Sequence, residues 1–178
     1  MTASSTARGA LREAFFETPF GVGRILLEGD LPVELEIPDQ GRRAPDGVAA
    51  GDAWCDLLAR YFAGERIVFP LDVDAYVARL GCTRFEGDVL RALARVPYGR
   101  TVSYRDLARD AGHPTAWRAT GTVMARNELP VILPCHRVTR SDGSLGNYGD
   151  DPSWKRRLLE LEGALGGAPE RARPVRRP

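Results

Sequence analysis

Residues 127–138 of the chain read NELPVILPCHRV, and this stretch says more about the fold than any other. It places two adjacent reactive side chains, Cys135 and His136, in an apolar segment bounded by Pro130 and Pro134. For an arbitrary Cys-His pair, a structural thiol beside a hydrogen-bonded core histidine is the more frequent arrangement, because free cysteine behaves as a small core residue. A reactive pair needs a base, a group that orients it and a way to neutralise the leaving group.

The composition is that of an ordinary folded protein. The 178 residues suffice for one domain or two small ones, and 43% hydrophobic with 28% charged residues exclude a disordered chain, a collagen or a disulfide scaffold. The net charge of +1 hides an asymmetry, since residues 1–82 carry −5 and residues 83–178 carry +6. A basic second half is compatible with nucleic acid as a partner, although many proteins with such an excess bind none.

Cysteine usage points to a reducing compartment. Cys55, Cys82 and Cys135 cannot all pair within the chain and show no CxxC spacing, and only two histidines could join them, so we expect no structural zinc site. The chain has no signal-peptide core near its start and no apolar run of membrane-spanning length. We therefore expect a cytoplasmic protein that does not contact membranes.

The pattern along the chain predicts an α/β fold of the α+β type with two domains. Residues 1–82 contain three short apolar segments within positions 14–38 and then a helical pattern that Asp52 could cap, which predicts a small antiparallel sheet covered by a helix. Residues 83–165 are mostly helical. The Gly-, Pro- and Arg-rich residues 166–178 are expected to form a disordered tail.

The second domain carries a helix-turn-helix pattern. Ser103 and Asp106 form a near capping box for one short helix, and Pro114 suits the first turn of a next helix over residues 115–126. A last helix is predicted over residues 152–162. Two short helices joined by a Gly-containing turn are common, so this pattern alone does not establish DNA binding.

The surroundings of the Cys-His stretch make the reactive interpretation specific. Pro134-Cys135-His136-Arg137-Val138, with Tyr104 and Arg118 before it and Gly146-Asn147-Tyr148 after it, resembles the O6-alkylguanine-DNA alkyltransferases. The resemblance covers about residues 85–163, where it implies a winged-helix-like domain with an active-site Cys loop. Residues 1–82 match loosely, and there it implies a small ribonuclease-H-like sheet domain with a mainly structural role.

The resemblance implies that Cys135 is a nucleophile. A thiol of pKa ~8.5 is mostly protonated at neutral pH, so it must lose its proton before it attacks an alkyl carbon. His136 would take that proton through a bridging water, Glu162 would orient His136, and Tyr104 would donate to the guanine leaving group. Because the thioether is stable, each molecule would react once, without cofactor or metal.

The resemblance also implies a partner, double-stranded DNA bound through its minor groove by a monomer. The substrate would be chiefly O6-methylguanine, with O4-methylthymine as a further lesion, and Arg118 would fill the gap left by the flipped nucleotide. The other DNA-facing residues would be Thr115, Ala116, Trp117 and Ala119. The pocket would comprise Pro130, Val138, Asn147, Tyr148 and Gly149, with backbone carbonyls near Cys135 and Val138 reading the exocyclic amine, and Asn127 and Arg137 would give structural support.

Two positions depart from the family pattern. Trp117 stands where relatives usually have a small residue, and its ring could widen the contact with DNA, stack on a sugar or base, or turn inward as core, which we favour slightly. Asp150 and Asp151 stand where relatives usually have two glycines, beside the pocket, where carboxylates repel phosphates. This predicts weaker DNA affinity or a narrower range of alkyl groups.

Two other functions stay open. One is a lesion-binding protein of the alkyltransferase-like type that flips alkylguanine without repairing it, although such proteins lack the reactive cysteine. The other is a thiol acceptor for small electrophiles with weakened DNA binding. A sequence-specific transcription factor fits less well, because Ala116, Ala119 and Gly121 offer no side chains that read base edges.

Overall fold

The N-terminal half is built on a three-stranded antiparallel sheet. The computed structural model describes residues 9–45, 52–146, 148–149 and 151–165. Strands β1 (Leu11–Thr18), β2 (Gly21–Glu28) and β3 (Leu31–Asp39) pair in the order β1-β2-β3. Alternate residues of the strands point into the core, as the two-residue period of a half-buried sheet requires. The predicted sheet is confirmed, with strands longer than the apolar segments.

One cross-strand pair explains how the sheet meets its helix. Phe16 lies opposite Gly23, and a Cβ atom at that glycine would fall 2.0 Å from the Phe16 ring. Only glycine leaves room for the ring to lie across the sheet and stack on Phe62, with centroids 6.0 Å apart. The aromatic layer between sheet and helix therefore depends on this glycine.

Two helices complete the N-terminal half. Helix α1 (Ala53–Phe62) begins at Asp52, whose carboxylate accepts a 2.8 Å hydrogen bond from the Trp54 amide, as the sequence predicted. Helix α2 (Val73–Leu80) ends at Gly81, which has a φ of 64° and so closes the helix without the strain a side chain would bring.

In the described part of the C-terminal half there are four α-helices: α3 (Arg84–Ala94), α4 (Tyr104–Asp110), α5 (Trp117–Ala125) and α6 (Ser153–Leu161). Ser103 caps α4 by accepting a hydrogen bond from the Asp106 amide, and α4 packs against α5. The predicted pair of short helices is therefore present.

The start of α5 differs from the prediction. Pro114 and Thr115 lie in a turn closed by the Ala116 amide, which donates to the His113 carbonyl at 2.9 Å. The helix begins only at Trp117, and Ala116 at its N-cap position offers no side-chain acceptor. Pro114 thus precedes the first turn instead of occupying it.

A short parallel pair joins the start of α4 to the Cys-His stretch. Strand β4 (Val102–Ser103) pairs with β5 (Val138–Thr139), while Cys135–Arg137 form a single 3₁₀ turn just before β5. This pairing brings Tyr104, the first residue of α4, close to the cysteine.

The two halves share one hydrophobic core. Trp154 of α6 packs edge-on against Phe20 and Phe62 of the N-terminal half, and the Leu35 amide of edge strand β3 donates to the Glu128 carbonyl at 2.7 Å. The predicted boundary near Cys82 falls in the connection between α2 and α3. The predicted tail lies outside the described residues. Among those described, no helix combines the length and apolarity that crossing a membrane requires.

Candidate active site

The cysteine lies at the end of a tightly folded loop. Val131 has a φ of 74°, a conformation that β-branched residues rarely adopt, and the Ile132 amide donates across it to the Pro130 carbonyl at 2.9 Å. Val131 is nevertheless buried, so core packing holds this strained turn in place. The turn directs the following residues into the 3₁₀ turn that carries Cys135.

The Cys135 thiol is buried and has two polar neighbours. The Asn127 amide nitrogen donates to Sγ at 3.1 Å and to the Leu133 carbonyl at 2.8 Å, and the Tyr148 hydroxyl lies 3.9 Å from Sγ. Asn127 therefore connects the end of α5 to the Cys loop. Burial raises the pKa of Cys135, while its hydrogen bonds with Asn127 and Tyr148 and the ammonium of Lys155 oppose that rise. The thiol therefore needs a base before it can attack.

His136 is fully buried and is oriented by a carboxylate. Its Nε2 lies 2.9 Å from Oε1 of Glu162, while Nδ1 is the one buried side-chain nitrogen or oxygen in the described ranges without a hydrogen-bond partner. Burial lowers the pKa of His136, although Glu162 opposes this, so the imidazole is neutral. We assign its proton to Nε2, because a carboxylate accepts only. Nδ1 is thus free to accept a proton.

Glu162 receives hydrogen bonds from several directions. Arg137 donates to both carboxylate oxygens, at 2.9 Å from Nε to Oε2 and 2.8 Å from Nη2 to Oε1, and the Gly99 amide donates to Oε2 at 3.0 Å. Burial acts to raise the pKa of Glu162, but the bonds from His136 and Arg137 prevail and lower it to about 2. The carboxylate stays charged although it is buried.

Sequence reasoning missed two residues of the site. Tyr61 of α1 donates to Glu162 Oε1 at 2.6 Å, and Lys155 of α6 is buried with its ammonium 2.5 Å from the Val138 carbonyl. Burial lowers the pKa of Lys155 to about 8, against the attraction of Cys135. One signal was available for Lys155, which is the only lysine among 25 basic residues.

Tyr104 stands beside the thiol as a potential donor. Burial, followed by the charge of Cys135, raises its pKa, so the phenol keeps its proton at neutral pH. Its ring approaches Gly121 of α5 and lies 5.8 Å from the Lys155 ammonium. The hydroxyl can therefore donate a hydrogen bond to a bound molecule.

Cys135, Tyr104 and Lys155 border an open cleft of about 1450 Å³ between the two halves, whereas His136 and Glu162 lie behind its surface. Of the predicted site residues, the cleft brings together Tyr104, Trp117, Arg118, Asn127, Pro130, Cys135, Tyr148 and Gly149. Strand β3 forms the opposite wall with Leu35, Ile37 and Pro38, which no sequence pattern had indicated.

Val138 departs from its predicted place at the pocket. It does not line the cleft, because its side chain is fully buried in the core and its carbonyl already accepts from Lys155. Asn147 and Asp150 lie outside the described residues. Asp151 does line the cleft, and hydrogen bonding by the side chain and then the backbone amide of Ser153 lowers its pKa, so it adds a negative charge there.

The first turn of α5 is exposed at the cleft. Trp117 is 37% exposed and the Arg118 guanidinium stacks on its ring, 4.3 Å from the centroid. The prediction that Trp117 turns inward is wrong, because the buried face of α5 begins only at Thr120. Thr115 and Ala119 are also exposed, and Ala116 is partly so.

Within the described ranges, no group of three His, Cys, Asp or Glu residues is arranged to hold a metal ion. Cys55, Cys82 and Cys135 are all free thiols.

Comparisons with known proteins agree on one family. The model of the 6-O-methylguanine DNA methyltransferase DNA-binding domain matches residues 84–164. A methylated-DNA–protein-cysteine methyltransferase of Methanopyrus kandleri is 39% identical over 134 residues, covering 75% of this chain and 96% of the relative. One of Mycobacterium tuberculosis is 38% identical over 142 residues, covering 80% and 82%.

Solved structures agree with the sequence relatives. The crystal structure of the Mycobacterium tuberculosis O6-methylguanine methyltransferase matches with a TM-score of 0.69 at 32% identity, covering 89% of this chain and 96% of that one. A crystal structure of the same organism's protein in complex with DNA matches with a TM-score of 0.66 at 31% identity, covering 85% and 92%.

Proposed function

The chain belongs to the methylated-DNA–protein-cysteine methyltransferases, and from that premise we propose that it repairs O6-alkylguanine in double-stranded DNA by transferring the alkyl group irreversibly to Cys135. The observation that carries the proposal is a thiol that borders an open cleft and is followed directly by a buried, carboxylate-bound histidine. The chief lesion is O6-methylguanine, and O4-methylthymine is a further one.

The first step is removal of the thiol proton. Nδ1 of His136 is unprotonated and takes the proton from Cys135 through a bridging water, which leaves a thiolate and an imidazolium. Glu162, ionised and bound to Nε2, stabilises that imidazolium, and the Lys155 ammonium stabilises the thiolate. His136 and Glu162 thus act as base and orienting group.

The second step is displacement at the alkyl carbon. The thiolate sulfur forms a bond to that carbon while the bond from carbon to O6 breaks, and the electron pair stays on the guanine. Tyr104 donates a hydrogen bond or proton to the purine, which limits the charge that develops on it. The product is a thioether at Cys135, so one molecule repairs one lesion and needs neither cofactor nor metal.

The purine reaches the thiol only outside the base stack. Pro130, Tyr148 and Gly149 line the proposed pocket, with backbone carbonyls near Cys135 and Val138 accepting from the exocyclic amine. The Val138 carbonyl keeps a second lone pair beside its bond to Lys155. Asn127 and Arg137 support the loop and the carboxylate.

DNA is approached through its minor groove by α5. Arg118, exposed in the first turn, enters the duplex and occupies the space of the flipped nucleotide, while Thr115, Ala116, Trp117 and Ala119 lie along the groove. The complex of the Mycobacterium tuberculosis relative with DNA supports this partner.

The finer organisation is proposed on the same basis. A ribonuclease-H-like domain spans residues 1–82, and a winged-helix-like domain spans residues 83–165. The protein acts as a monomer in the cytoplasm, where its free thiols stay reduced.

Intact mass spectrometry tests the function. Wild-type protein incubated with a duplex containing O6-methylguanine should gain one methyl group per molecule, located on Cys135. Cys135→Ser should still bind that duplex and gain nothing, whereas Cys82→Ser, which removes a more accessible thiol, should react like wild type. A folded, reduced wild-type protein that binds the lesion without gaining mass would instead support lesion binding without repair.

A further inference from the structure

Among the described residues of the N-terminal half, Tyr61 is the one whose side chain hydrogen-bonds to Glu162, the carboxylate that orients His136. Its hydroxyl donates to Glu162 Oε1 at 2.6 Å and lies 3.5 Å from His136 Nε2. The residue is fully buried, and its ring packs edge-on against Phe62 and Tyr98. Burial and the charge of Glu162 raise its pKa far above the ordinary value, so the phenol is always a donor.

The bond acts on the oxygen that faces the imidazole. Oε1 accepts from His136, Tyr61 and Arg137, whereas Oε2 accepts from Arg137 and Gly99. A donor on Oε1 withdraws negative charge from the atom that attracts the histidine proton. Tyr61 therefore weakens Glu162 as an acceptor for Nε2 and fixes the direction in which the carboxylate points.

We propose that Tyr61 is a positioning residue for the alkyl transfer, through which the N-terminal half sets the basicity of His136. This inference rests on the proposed function. The N-terminal half would then affect the reaction itself, because the Tyr61 hydroxyl on α1 donates to Glu162 Oε1, the oxygen that orients His136.

The surroundings of His136 leave few other groups that could produce this effect. The charged or titratable side chains around it belong to α1, to α6 and its C-cap, to the connection after α3, to the Cys loop and to the segment between β5 and α6. They are Tyr61, Glu162, Lys155, Tyr98, Arg137, Cys135 and Tyr148. Of these, Tyr61 and Arg137 hydrogen-bond to Glu162 Oε1. Arg137 is fully committed to a buried ion pair, so Tyr61 is the neutral donor that can be removed without leaving a charge unpaired.

Tyr61→Phe removes the hydroxyl and keeps the ring. The matched control is Tyr76→Phe, which removes a hydroxyl from another fully buried tyrosine of the same half, on α2. Without the Tyr61 donor, Glu162 should hold the Nε2 proton more strongly and the pKa of His136 should rise. In a plot of the transfer rate against pH, the acid limb should therefore move to higher pH. At a given pH on that limb, the rate should fall about threefold. Tyr76→Phe should leave the limb in place.

A second substitution predicts the opposite sign. 3-Fluorotyrosine incorporated at position 61 keeps the hydroxyl and makes it a stronger donor, so the acid limb should move to lower pH. Opposite shifts from the two changes cannot come from loosened packing. If both substituted proteins, folded, give the wild-type profile, Tyr61 has no positioning role.

Nitrogen NMR separates this inference from the proposed function. The chain has only two histidines, so the signals of His136 can be assigned with one variant, and their titration reports the pKa of its imidazole without any transfer. A rise of that pKa in Tyr61→Phe supports the inference even in a protein that transfers nothing. An unchanged titration overturns it even in a protein that repairs DNA.

Discussion

The buried cluster around Glu162 and the exposed first turn of α5 serve the same proposed reaction but are built in opposite ways. Glu162 is held by donors from α1, from the connection after α3 and from the Cys loop. The first turn of α5 has no side-chain cap, and Arg118 rests on its neighbour Trp117. One region is fixed by many converging contacts, and the other is held by a local one.

The difference follows from what each region meets. The proton transfer needs a fixed geometry and a carboxylate that stays charged in a buried place, which only several converging donors can maintain. The protein must bind DNA of any sequence and distort it. Arg118 therefore has to leave its position on the Trp117 ring and enter the duplex. Substitutions in the cluster should therefore affect folding and chemistry together, and substitutions in the turn should affect DNA alone.

Glu162→Gln should give the largest effect. It leaves the buried Arg137 without its charge partner, so the free energy of unfolding should fall by about 3–5 kcal/mol, and loss of the oriented base should slow transfer at least about 100-fold. Denaturant unfolding and single-turnover kinetics measure the two losses. Glu160→Gln, an exposed neighbour on α6, is the control and should change neither.

The same variant should alter the acid dependence of stability. Glu162 has a pKa of about 2 in the folded protein against an ordinary 4.5, so its carboxylate stabilises the fold above pH 4.5 and this stabilisation is lost as the pH falls towards 2. The pKa of His136 is lowered in the folded protein, so acid opposes folding through this group as well. Between pH 4.5 and 2, Glu162→Gln should lose less stability than wild type. Equal losses would contradict the ionised state of Glu162.

Arg118→Ala should come next, and should act on DNA alone. Flipping a nucleotide costs a few kcal/mol, so losing the side chain that fills the gap should slow transfer from duplex about tenfold or more. The rate with a free O6-alkylguanine base should stay within about twofold of wild type. Arg126→Ala, at the other end of α5, controls for loss of a surface charge. Equal losses on duplex and free base would show that Arg118 has no role in flipping.

Trp117→Ala should give the smallest effect. An exposed cation–π contact contributes about 0.5–1 kcal/mol, so losing the ring that orients Arg118 should weaken duplex binding about two- to fivefold, with stability and free-base reaction unchanged. Binding to a lesion-containing duplex by titration measures this. If Trp117→Ala bound the duplex more tightly than wild type, the stacking of Arg118 on the indole would compete with DNA binding instead of orienting Arg118 for it.

Residues in local patterns, and distant residues that the family resemblance names, could be predicted from the sequence, whereas a residue that only the packing of the two halves brings to the site could not. Cys135, His136 and the capping Ser103 belong to local patterns, so the sequence identifies the Cys loop and the start of α4. Tyr61 lies 75 positions before His136, in a run of aromatic residues at helical spacing that is typical of an ordinary core. Only the packing of α1 against the C-terminal half turns its hydroxyl towards Glu162.

Two side chains lie elsewhere than the sequence indicated. The size of the Trp117 ring predicts burial, but the core under α5 begins one turn later. The family resemblance implies a place at the pocket for Val138, whereas β5 pairs with β4 and buries its side chain. Hydropathy describes each side chain separately, whereas burial depends on where the neighbouring elements end.

The aromatic contact of Trp154 with Phe20 and Phe62 limits how far this protein can be shortened. A fragment cut near residue 83 would contain the whole recognisable motif, yet it would expose the inner face of the helix that leads into Glu162 and would lack Tyr61. A shortened variant should therefore keep the three-stranded sheet and α1, and residues should be removed from other parts of the chain.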